Sequence, residues 1–122
     1  MAARLEGRRM TRMIDLQKLA DVLNKHVVEC YFAKGWGAGD ARDCIVFSEL
    51  PCNLYGVNDV EDAPATTLIR EALVRDGLQV THYAYPAGEH AVDIDRDDRL
   101  QSSHHKDTYT EALLAVALEV WR

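Results

Sequence analysis

The sequence predicts an α+β fold in which helices cover an antiparallel sheet, in the order α-β-β-α-β-β-α. Two observations carry this. Three segments repeat apolar residues at helical spacing, Leu16–Tyr31, Pro64–Arg75 and Tyr109–Trp121. Between them lie pairs of short β-like runs, the second pair joined by turn residues, where a doubly wound parallel fold would place single strands. A chain of 122 residues is near the usual size of one domain, so a basic, disordered head over 1–12 and one domain over 13–122 are expected.

Asp15 reads as the N-cap of the first helix. Leu16, Leu19, Ala20, Leu23, Val27, Cys30 and Tyr31 share one face, with Asp21, Lys25 and Glu29 toward water. This helix is predicted to stop in Lys34-Gly35-Trp36-Gly37-Ala38-Gly39-Asp40, a flexible glycine loop. Cys44–Phe47 and Leu54–Val57 are the first two strands, divided by a loop containing Pro51. The acids Glu61 and Asp62 and then Pro64 open the second helix, whose apolar side is Leu68, Ile69, Ala72 and Leu73. Arg75 suits the C-terminal end of its dipole and Gly77 supplies the stop.

Leu78–Tyr85 and Glu89–Asp95 alternate and are joined by Pro86-Ala87-Gly88, a hairpin in which Tyr85 faces Glu89 and His82 faces Val92. One face then holds Leu78, Val80, His82, Ala84, His90, Val92 and Ile94, and is expected to be core. The other carries Tyr83, Tyr85, Glu89, Asp93 and Asp95 and is expected to be wet. Arg96–Lys106 reads as a polar loop. Thr108-x-x-Glu111 is a capping box for the last helix, which runs to Trp121 with Glu119 its only polar residue after Glu111. A helix so apolar is buried on more than one side, and a homodimer through Ala112–Trp121 is one way to bury it.

The net charge is −6, although Arg4, Arg8, Arg9 and Arg12 lie in the head against Glu6 alone. The remainder is therefore more acidic still, which argues against direct binding of nucleic acid or anionic membranes and favours partners with a basic surface. Met10 and Met13 are alternative start positions, which would make the head an upstream extension. No apolar stretch approaches the ~20 residues of a membrane span. The head leads into no apolar signal region, and the odd number of cysteines (3) suits free thiols in a reducing cytoplasm.

The candidate sites divide by chemistry. Gly35-x-Gly37-x-Gly39 lacks the lysine and the strand-to-helix context of a phosphate cradle, so Trp36 is expected to serve as a partner contact in a mobile loop. Asp93-Ile94-Asp95-Arg96-Asp97-Asp98 begins like a calcium loop, but Asp98 stands where glycine is needed and His104 where a bidentate glutamate is needed. The hairpin register makes His82 and His90 diagonal neighbours, close enough to share a metal, with Cys44 or Cys52 as conceivable further ligands. No closely spaced ligand pair accompanies them, so no metal and no cofactor is expected. Cys30 lies on an apolar face where a thiol is inert, and no serine sits in a nucleophile elbow, so no catalytic residue is assigned.

Asp62–Leu73 as a middle helix, Leu78–Asp95 as the following hairpin and Thr108–Leu118 as a closing helix together resemble the phage ABA sandwich domain, found in small proteins of bacteriophages and prophages. Leu19–Trp36 is similar, more loosely, to that family's opening helix. Tryptophans usual in the family's middle helix and hairpin are missing here, and Tyr83 and Tyr85 stand in the hairpin. The resemblance implies a helix–sheet–helix sandwich and a mobile-element origin, and brings no catalytic residues.

The expected function is that of a non-enzymatic phage binding protein in the cytoplasm of a bacterial host. It would act through Asp93, Asp95, Asp97, Asp98, Tyr83, Tyr85 and Trp36 on a host protein with a basic surface, such as a nucleic-acid-handling defence complex. The alternatives are a small-molecule or metal-binding protein built on the histidine face and the glycine loop, and a homodimeric structural phage protein.

Overall fold

The structure, a computed structural model, describes residues 14–36, 42–50, 53–56 and 58–121. The arginine-bearing head, Gly37–Asp40, Pro51, Cys52 and Val57 lie outside the described residues. The elements are α1 (Leu16–His26), β1 (Cys30–Trp36), β2 (Arg42–Phe47), β3 (Asn53–Leu54), α2 (Ala63–Arg75), β4 (Gln79–Ala84), β5 (His90–Arg96), β6 (Arg99–Lys106) and α3 (Tyr109–Val120). They form two antiparallel three-stranded sheets, ordered β1-β2-β3 and β4-β5-β6, with helices packed against them. This is the α+β class expected, with one strand more in each half than the sequence pattern suggests.

The first added strand comes from the end of the predicted first helix. That helix stops at His26, and Cys30–Trp36 is extended. Val27, Cys30 and Tyr31 fit a helical stripe, but Val27-Val28 and Tyr31-Phe32 are β-branched and aromatic pairs that pack better on a pleated surface. The Cys30 amide donates to the Asn24 side chain at 3.2 Å, bridging the reversal. Cys30 and Phe32 pair with Phe47 and Ile45, so one face of this sheet carries Cys30, Phe32, Ile45, Phe47 and Leu54 into the core. Lys34, Gly35 and Trp36, expected in a loop, belong to the strand.

The second correction is β6. Its sequence, RLQSSHHK, has no apolar alternation because the strand lies at a sheet edge, where one face and one edge meet water. Asp97 and Asp98 make the connection from β5, both in the left-handed region with φ of 51° and 63°. That is the backbone of a type I′ hairpin turn, and aspartate tolerates it better than most residues.

The terminal signals held more closely. Asp15 caps α1 by accepting from the Lys18 amide at 3.1 Å. Thr108 caps α3, its Oγ1 accepting from the Glu111 amide at 3.1 Å and donating to the Glu111 carboxylate at 3.0 Å, so the pair meets side chain to side chain. At the end of α2 the Leu78 amide reaches the Leu73 carbonyl and the Gly77 amide reaches that of Val74, a Schellman motif with Gly77 at φ +84°. Asp62 departs from expectation. Its side chain makes no cap bond to α2; fully buried, it turns back to accept from the amides of Tyr55, Gly56 and Asn58 at 2.7, 2.9 and 3.1 Å.

Among the helices α3 is central. It packs on β5 and β6 with one side and on α1 and α2 with the other, which buries Ala112, Leu113, Leu114, Val116 and Ala117. The second surface that its composition demands is thus supplied within one chain. The core joins these residues to Leu19, Leu23, Ile45, Leu54, Ile69, Leu73, Val92 and Ile94.

Candidate binding surface

Strand alternation gives the β4-β5-β6 sheet two faces with different fates. Val80, Val92, Ile94 and Ser102 point toward α3, whereas Thr81, Tyr83, Ala91, Asp93, Ser103 and His105 share the opposite face. On that outer face Tyr83 and Tyr85 are 46% and 45% exposed. Tyr83 is the cross-strand partner of Ala91, which is buried although it faces away from the core. The Tyr85 ring lies parallel to that of His105 at 5.8 Å, and His105 Nδ1 meets Glu89 at 2.8 Å. Ser103 Oγ donates to Asp93 at 2.5 Å. The result is a surface with two aromatic rings, an imidazole–carboxylate pair and an aspartate bonded to Ser103.

Several of the candidate contact residues therefore come together, and some do not. Tyr83, Tyr85 and Asp93 share the outer face of neighbouring strands, and Asp95 continues it along β5. Asp97 and Asp98 sit in the turn at the far end of that strand, where Arg96 and Arg99, paired across the turn, interleave with them. The acidity of this end is correspondingly diluted. Trp36 belongs to the other sheet, where its backbone pairs with Arg42 at the end of β1, and its side chain lies outside the described residues. His105, Ser103 and the 60% exposed Leu100 are not legible from the sequence pattern, in which Arg96–Lys106 reads as a loop. The available signal was Asp97-Asp98, a two-residue turn directly after an alternating strand.

The histidine face is also rearranged. His82 and His90 are diagonal neighbours as the register implied, with His82 opposite Val92 and Ala84 opposite His90. His82 and Ala84 are nevertheless exposed, because β4 is an edge strand whose inner face runs beyond the cover of α3. His82 Nε2 and His90 Nδ1 are 2.9 Å apart, and Tyr109 from the start of α3 lies against the His82 ring at 4.4 Å. Burial, the neighbouring His90 and Arg70 lower the His82 pKa, with Asp59 opposing them. No group of three or more His, Cys, Asp or Glu side chains among the described residues is arranged to hold a metal ion.

The calcium-like run is equally dispersed: Asp93 and Asp95 are strand residues on one face, and only Asp97 and Asp98 are in a turn. Cys30 and Cys44 are buried free thiols. Burial, helped by Asp21, pushes the Cys30 thiol up to about 11, and burial also raises Cys44, so neither is set up as a nucleophile. Among the described residues no helix is long and apolar enough to cross a membrane. No family model matches the chain, and neither a curated protein nor a solved structure is significantly similar to it.

Proposed function

We propose that this protein is a non-catalytic binding protein that takes a macromolecular partner on the outer face of the β4-β5-β6 sheet. The observation that carries the reading is the pair Tyr83 and Tyr85, each nearly half exposed in β4 and just beyond its end, on the sheet that also carries Asp93 and, at the hairpin turn, Glu89. Tyrosines give a large amphipathic contact area at small entropic cost, and acids beside them steer encounter with basic surfaces. The likeness to phage ABA sandwich proteins supports a narrower version. In it the partner is a host protein whose basic surface handles nucleic acid, such as a defence complex, and the encounter takes place in the bacterial cytoplasm.

The test is capture of such a complex by wild type, by Tyr83→Ser/Tyr85→Ser, and by Asp95→Lys/Asp97→Lys/Asp98→Lys. The tyrosine variant is expected to lose capture with its circular dichroism and urea midpoint unchanged. The charge-reversed variant is expected to lose the dependence of capture on salt. Full capture by both variants would rule this face out.

A further inference from the structure

The two histidines at the open end of the inner face are arranged for a proton. Their ring centroids are 5.1 Å apart with planes 18° from parallel, while the facing nitrogens are 2.9 Å apart. The difference is one ring width, so the imidazoles lie edge to edge in nearly one plane with the two nitrogens aimed at each other. A metal ion between nitrogens so aligned would need two bonds of about 2.0–2.1 Å, more than the gap allows. One hydrogen fits, donated by one ring and accepted by the other.

Protonation has a definite consequence here. With both rings neutral, or with one charged, a single hydrogen lies between the facing nitrogens. With both charged, each nitrogen carries its own hydrogen and the bond is replaced by repulsion. The surroundings act on this balance from every side. Tyr109 of α3 covers the His82 ring. Arg70 of α2 acts against a charged His82, whereas Asp59 from the loop before α2 favours it. On β6, Lys106 is the register partner of His90, and His104 is that of Val92. Arg70 adds positive charge beside His82, and two charged rings would face each other across 2.9 Å, so the second proton is disfavoured.

We propose that His82 and His90 form a one-proton latch that ties the edge strand β4 to β5, and that uptake of a second proton releases the end of β4. The released segment is the one that carries Tyr83 and Tyr85, yet the latch stands whether or not those residues bind a partner. The Tyr85 amide, which donates to the Glu89 carbonyl at 2.9 Å, reports on it directly. The adjacent His105–Glu89 pair works in the opposite sense, because a protonated His105 holds Glu89 more strongly. Acid-induced loosening at this turn therefore does not come from that pair.

The experiment is amide hydrogen exchange at Tyr85, corrected for intrinsic rate, from about pH 7 to about pH 5, where unperturbed imidazole changes charge. Wild type is expected to lose protection by about tenfold for each pKa unit by which the second proton is disfavoured. His82→Gln and His90→Asn place an amide where the facing nitrogen was, so each should keep its protection over this range. An unchanged wild type, or an equal acid loss in both variants, would overturn the latch. Should either variant fold poorly, the imidazole resonances of wild type decide. Two well-separated, coupled titration steps support the latch, and two independent overlapping ones refute it.

Discussion

The loop before α2 fastens the N-terminus of α3, and Asp59→Ala should expose how much stability that contact supplies. Asp59 accepts from the amides of Thr110 at 2.8 Å and Tyr109 at 3.3 Å, two of the donors that a helix start leaves without intrahelical partners. The shorter bond is a charge-assisted one, worth about 1.5–3 kcal/mol, and the longer adds little. Thr108 still caps the Glu111 amide in the variant, so the helix is not left bare. The expected loss is about 2 kcal/mol, seen as a lower urea midpoint near neutral pH. Asp59→Asn, which keeps an acceptor but not the charge, should lose about half as much.

The pH dependence follows from the carboxyl itself. Burial alone would raise its pKa, but the Thr110 and Tyr109 amides, with His90 nearby, together hold it below its ordinary 3.8. A depressed folded-state pKa contributes stability that is complete above the unfolded value and is lost as pH falls through the folded one. The gap between wild type and Asp59→Ala should therefore be full near neutrality and close below pH 3.8. A neutral-pH difference under about 0.5 kcal/mol, the range of an ordinary surface substitution, would refute the reasoning. So would a gap that persists undiminished in acid, which would assign the effect to loop packing.

Three further outcomes are expected. Asp62→Ala strips the amides of Tyr55, Gly56 and Asn58 of a buried acceptor and should cost about 3 kcal/mol or more, measured by urea unfolding. Gly77→Ala forces a side chain into φ +84° at the end of α2 and should cost about 1–2 kcal/mol, again by urea midpoint, although the Cβ itself meets nothing closer than Arg96 at 3.6 Å. Cys30 and Cys44, buried with raised pKa values, should escape alkylation in the native protein at about pH 8 and react once it is unfolded, as peptide mass spectrometry would show.

Where local chemistry alone decides, the fold was legible. Asp15, Thr108 and Gly77 each satisfy backbone groups one turn away, so residue type and spacing suffice to place them. The Pro86–Gly88 hairpin is local too, and its register came out as read, with His82 opposite Val92. The misplaced elements are those that tertiary packing defines. Cys30 fits a helical stripe as well as a strand, and only the pairing of Cys30 with Phe47 and Phe32 with Ile45 selects the strand. The polar run of β6 becomes a strand because β5 offers it an edge.

The candidate surface was half legible for the same reason. Strand alternation separates Tyr83, Asp93 and Asp95 from Val92 and Ile94 without any knowledge of the third strand. The third strand is what turns that face into a platform, since His105 and Ser103 hold Glu89 and Asp93 in place. Asp59 and Asp62 show the limit most sharply. Both are acids ahead of α2, and the sequence reads Asp62 as a contributor to its dipole and assigns Asp59 no role. One instead reaches the start of a helix some 50 residues on, and the other folds back on its own loop. A carboxylate accepts from whichever amides the chain brings within 3 Å, and which amides those are is settled by the packing of α3 against the two helices before it.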